Sequence, residues 1–257
     1  MKTKMIVLVI LISKIIYAQD TIVKQGRIWQ NNFSKEKLTH ILSVSPMSRK
    51  TEKVNGLVIG FGHVDNKLVE KQTINGINAE INPAPILGGF MAFIYLTYLP
   101  EILSEKRKTT VADTLHYTKK PDFIIPNWDK TPYLKLNGIN ISSGCFFTNT
   151  SMNGINVSIA NKFKNFNGLS IAPLGTLADN QNGISMGIIN ANNNLKGCVI
   201  GVYNQSAELN GIQIGLVNQT LINHGLQVGI FNRSYSKGFQ IGIWNKNAKH
   251  TFPFINW

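Results

Sequence analysis

The sequence predicts an all-β repeat array with a period near 14 residues. Three observations carry this. Glycines recur at near-constant spacing, apolar residues between them alternate with period two, and the linkers are short and rich in asparagine. The glycines fall at Gly154, Gly168, Gly183, Gly197, Gly211, Gly225 and Gly238, in steps of 14, 15, 14, 14, 14 and 13. The clearest copies run from Gly211 to Asn218, Gly225 to Asn232 and Gly238 to Asn245; Gly183 to Asn190 and Gly197 to Asn204 also fit. Self-similarity at a fixed short period is the mark of a repeat architecture.

Within each copy the apolar residues stand one, three and five places after the first glycine. Period two means a β-strand, because successive side chains point to opposite faces. A helix needs apolar spacings of three and four, and each glycine would weaken it by about 1 kcal/mol. In the copy starting at Gly211, residues Ile212, Ile214 and Leu216 make one face and Gly211, Gln213 and Gly215 the other. The aliphatic face is expected to be buried. An apolar residue often returns two places before the next glycine, as at Phe166, Leu195 and Leu209.

Two architectures fit. A parallel β-solenoid, or β-roll, would stack one coil on the next every ~4.8 Å. The repeat residues Gly183, Gly197, Gly211, Gly225 and Gly238 would then align. Asn190, Asn204, Asn218, Asn232 and Asn245 would form an amide ladder at a turn, and Gln213, Gln227 and Gln240 a second ladder on a strand face. The alternative is an antiparallel up-and-down β-barrel of the outer-membrane kind, whose strands of roughly nine to eleven residues span a bilayer. The even, short linkers favour the solenoid.

Three segments order the chain. Residues 1–18 read as a signal peptide: a basic start, an apolar run interrupted by Lys14, and Ile16-Tyr17-Ala18 as a cleavage site. Residues 19–137 read as an irregular N-terminal β region. That region carries strand-like Ile41–Pro46 and Gly56–Gly60, an apolar segment at 85–100 and an exposed insertion at 101–135. The segment 85–100 is too short for a standard membrane span and suits a cap on the repeat stack. Residues 138–257 form the repeat array.

The net charge is +13, and removing Lys2, Lys4 and Lys14 with the leader gives 13 − 3 = +10. A basic balance suits an anionic surface or simple solubility. No arginine stripe or aromatic RNA-binding motif is present, so nucleic acid is not an expected partner. Cys145 and Cys198 would lie four coils apart, about 19 Å, against a disulfide limit of about 7 Å. Two free thiols are expected, with Cys198 pointing inward.

The chemistry of a catalytic site is missing. From 138 to 257 the acids are Asp179 and Glu208, in different linkers, which disfavours paired-carboxylate glycoside chemistry. Calcium-binding solenoids need an Asp in each turn, and these turns carry Asn. His40, His63, His116, His224 and His250 share no metal-ligand spacing. Gly62-His63-Val64-Asp65 reads as an exposed turn rather than an acid–base pair. Ser142 and Ser143 lack the strand–turn–helix context of a nucleophile elbow. No catalytic, cofactor-binding or metal-binding residue is therefore assigned. Tyr203, Phe231 and Trp244 share one repeat phase, suited either to strand-end packing or to an aromatic stripe for glycan or membrane.

The repeats, with the ending Phe252-Pro-Phe-Ile-Asn-Trp257, resemble the surface-repeat-containing proteins of bacteria. The match covers 138–257 well and 54–82 loosely. The family has no established biochemical activity, so the resemblance implies a surface location and little else. The Asn-Gly-Ile-x-Ile-Gly pattern is also similar to the head repeats of trimeric autotransporter adhesins, which form a parallel β-roll; no stalk or anchor of that family is seen in this sequence. The expected function is that of an exported, non-enzymatic repeat protein of the cell surface or outer membrane, structural or adhesive. A small outer-membrane barrel acting as channel or anchor is the alternative. Envelope lipid or surface glycan is the expected partner, with no cofactor, and the oligomeric state stays open.

Overall fold

The computed structural model describes residues 38–48, 50–63, 71–82, 133–144 and 149–257. The predicted leader, the apolar segment 85–100, most of the insertion 101–135, and Cys145 lie outside the described residues. Among the described residues there is no helix. Thirteen strands follow one another: β1 (Leu38–Ser45), β2 (Thr51–Gly60), β3 (Gln72–Glu80), β4 (Leu134–Ser142), β5 (Thr150–Val157), β6 (Ala160–Ile171) and β7 (Gly175–Met186). Then come β8 (Ile189–Leu195), β9 (Cys198–Leu209), β10 (Ile212–Asn223), β11 (Leu226–Ser234), β12 (Phe239–Lys246) and β13 (Thr251–Asn256).

Their order in the sheet is their order in the chain. Each pair from β1 to β12 is parallel, and Gly197, Gly211 and Gly225 sit one above the other. Parallel neighbours close in sequence require the chain to return on itself, so each repeat is one coil. The protein is a β-solenoid of about ten turns, with coils about 14 residues apart. The antiparallel barrel is excluded by this register. Among the described strands only β13 runs antiparallel, along β12. Strands β1 to β3 belong to the same stack, so coils begin well before the regular run at 138.

Close stacking explains one class of glycine. Gly168 has φ 136°, a left-handed backbone that side chains rarely adopt. A Cβ there would collide with the carbonyl oxygen of Gly154 in the coil beneath.

The interior corrects the expected polarity of the strands. Ile212, Ile214 and Leu216 point outward, whereas Gln213, Gln227 and Gln240 are fully buried. The apolar core lies instead at the position two before the glycine. Val54, Ile74, Leu136, Met152 and Phe166 form one continuous column there, joined by Phe163, which stacks on Phe166 at 5.4 Å between centroids. Gln181 interrupts the column, and Leu195 and Leu209 resume it beside Val199.

Apart from a small apolar cluster of Ile189, Tyr203 and Val217, most of the remaining interior is polar, and its amides bond largely along the stack. Asn190, Asn204, Asn218, Asn232 and Asn245 form the expected ladder, each Nδ2 donating to the next Oδ1 at 2.7–2.9 Å. The second hydrogen of Asn204, Asn218 and Asn232 goes to the carbonyls of Ile214, Val228 and Ile241. Gln240 donates to Gln227 at 2.7 Å and Gln227 to Gln213 at 2.8 Å, the reverse direction along the stack. Earlier in the chain Asn78, Asn140 and Asn156 bond in series at 2.7–2.8 Å. A buried amide costs free energy only when unpaired. Stacking identical amides at the coil repeat pairs them, so the polar face can go inside.

Candidate functional site: the outward aliphatic face

With the amides inside, the aliphatic residues of every coil face out. They form two columns in register from one end of the stack to the other. The first follows the glycine directly: Leu57, Ile77, Ile139, Ile155, Leu169 and Ile184, continuing through Cys198 to Phe239. The second lies two residues further on, from Val44 and Ile59 through Ile141, Val157 and Ile171 to Ile200, Ile214 and Ile241. Its smallest member is Ala79. From Ile139 to Ile241 the isoleucines of both columns are 37–54% exposed. Each is covered by its neighbours above and below and, among the described residues, by nothing in front.

Toward the C-terminal end a third column joins, Leu216, Ile230 and Ile243, separated from the second by Gly215, Gly229 and Gly242. The glycines leave a shallow groove of about 890 Å³. Phe254 and Ile255 of β13 line its end. Phe254 has φ 67° and its ring is 73% exposed.

The other predicted features sort themselves around this face. Tyr203, Phe231 and Trp244 occupy one register column with Val217, as their phase requires. Tyr203 is buried and donates its hydroxyl to Gln219 Oε1 at 2.9 Å, while Phe231 and Trp244 are open to solvent. The column is therefore packing at one coil and exposed aromatic surface at two others. Cys198 is a free thiol on the outward column, not inward as expected, and burial pushes its pKa up.

His63 corrects a second expectation. It is buried, not on an exposed turn, and its Nδ1 lies 2.5 Å from Glu80 Oε1, both side chains being 1% exposed. Sequence reasoning missed this pair because its partner stands seventeen residues away, one coil further along. Asp179 pairs with Lys164 at 3.0 Å and accepts from Asn193 at 2.6 Å. Glu208 accepts from Asn210 at 2.8 Å. Ser143 Oγ donates to the Asn82 carbonyl at 2.6 Å. Among the described residues no three His, Cys, Asp or Glu side chains converge as metal ligands would. The glycines and asparagines singled out in the repeat hold the coils together and contribute no reactive group to the face.

The face is thus long and apolar, and neither column carries a charged residue. Contiguous exposed apolar surface of this extent marks a site of contact. In comparisons with known proteins, no family model, no curated protein and no solved structure matches this chain.

Proposed function

We propose that the chain is an exported, non-enzymatic repeat protein of the bacterial cell surface or outer membrane, with a structural or adhesive role. The observation that carries the reading is the uninterrupted outward aliphatic face on a rod of stacked coils. Such a surface binds by area and shape and needs no converging acids or bases. Support for export comes from the basic, apolar start ending at Ala18, and support for a surface location from the resemblance of the repeats and the Phe252–Trp257 ending. The channel reading needed a barrel and does not survive the parallel register.

Fractionation of expressing cells tests this. The expected result is a mature chain beginning at Gln19, recovered with the envelope and cut by protease added to intact cells. A cytoplasmic chain that still begins at Met1 would refute it.

A further inference from the structure

We propose that the outward aliphatic face is a dimerisation surface, closed in solution by the same face of a second copy of this chain. The inference rests on the geometry of the face and is independent of export, so either can fail alone.

Area comes first. The columns run from β1 to β12 and pass from β7 directly to β9, so they make ten steps of ~4.8 Å or roughly 48 Å. Two columns two residues apart, with their side chains, make a band about 14 Å wide. Pairing two bands buries roughly 1,300 Å² in total, inside the range of about 1,200–2,000 Å² for specific stable interfaces.

Complementarity comes second. Side chains on the face repeat at the coil spacing, so an identical face presents ridges of the same pitch. Two such faces pack like the sheets of a sandwich, about 10 Å apart. A two-fold pairing of one patch with itself is the commonest closed assembly.

Charge comes third. The chain carries +13, yet neither aliphatic column contains a charged residue, so two copies can meet here without like charges in contact. The border beside the first column is uncharged in the earlier coils, and Lys196 and Lys237 hold the same position in the later ones. In the earlier coils Asn55, Asn75, Asn137, Asn153 and Asn167 line it, each bonded to the next at 2.7–2.8 Å. An apolar centre with a polar rim is the anatomy of a protein interface.

Sedimentation equilibrium of the purified protein tests the proposal, beside Ile171→Lys, Ile139→Lys and the conservative Ile171→Val. These side chains point out, so each variant is expected to keep the parent's β-type circular dichroism. A dimer is expected at about 10 µM for the parent and Ile171→Val, with dissociation constants at least about 100-fold higher for the lysine variants. A parent that is monomeric at about 100 µM overturns the proposal, whatever the variants do. So do folded lysine variants that dimerise like the parent. Pelleting with phosphatidylglycerol vesicles, shown by a monomeric parent and lost in Ile171→Lys, would assign the face to lipid and equally overturn it.

Discussion

Asn204 gives both of its amide hydrogens away within 3 Å: one to Asn218 Oδ1 at 2.9 Å in the next coil, the other to the Ile214 carbonyl at 2.8 Å. The second bond fixes which end of the amide is nitrogen, and with it the direction of the whole column. The Gln213–Gln227–Gln240 column runs the opposite way, each donating toward the N-terminal coil. Two antiparallel lines of amide dipoles therefore lie inside one narrow coil, where their far fields largely cancel.

Removing one rung tests the amide core. Asn218 accepts from Asn204 and donates to Asn232 and to the Val228 carbonyl. Asn218→Ala leaves these buried partners unpaired, at about 1–3 kcal/mol each. The expected loss is about 3 kcal/mol or more, read from urea unfolding. Asn167→Ala, in the exposed border column, is expected to cost below about 1 kcal/mol.

Glycine stacking makes a separate prediction. Gly168→Ala forces a Cβ onto the Gly154 carbonyl and an L residue into φ 136°. A loss of about 2 kcal/mol or more is expected. An unchanged urea midpoint would mean that the coils are not this closely stacked.

Cys198 offers a chemical readout of the outward column. Burial raises its pKa, so a smaller fraction is thiolate at pH 8 than for an open cysteine. In a Cys145→Ser background, alkylation of Cys198 by iodoacetamide should be slower than that of a free thiol at pH 8. Its rate–pH curve should be displaced upward. A curve with the midpoint of an unhindered thiol would contradict the placement.

How much of this was legible in the sequence follows from what each signal encodes. The glycine spacing and even linkers favour parallel coils over a barrel, and the asparagine phase then gives a ladder, because both are properties of position along the chain. Which strand face turns inward is different. Alternation at Ile212, Gln213 and Ile214 defines two faces without a sign, and hydrophobicity alone assigns the sign wrongly here. An inward glutamine becomes acceptable only after its partner arrives from the neighbouring coil, so its pairing is invisible in a single repeat. Two clues were present. The apolar residue two before the glycine, at Phe166, Leu195 and Leu209, marked the true core. Gln213, Gln227 and Gln240 are identical, while Ile212, Leu226 and Phe239 vary in size, as inward ladders and outward aliphatics would. The His63–Glu80 pair left no comparable trace, since its spacing belongs to coil stacking rather than to a motif.

The most direct measurement places one aspartate on either face of β10. Ile214→Asp puts it on the outward column, and Asn218→Asp puts it in the amide ladder, where an unpaired buried charge costs several kcal/mol. Circular dichroism melts of both variants beside the parent, at about 1 µM so that self-association contributes little, separate the two. The account predicts that Ile214→Asp keeps the β spectrum and melts within a few degrees of the parent, while Asn218→Asp is unfolded or melts far lower. The opposite ranking, with Ile214→Asp unfolded and Asn218→Asp intact, would mean that the aliphatic face is the core and that the strands are turned the other way.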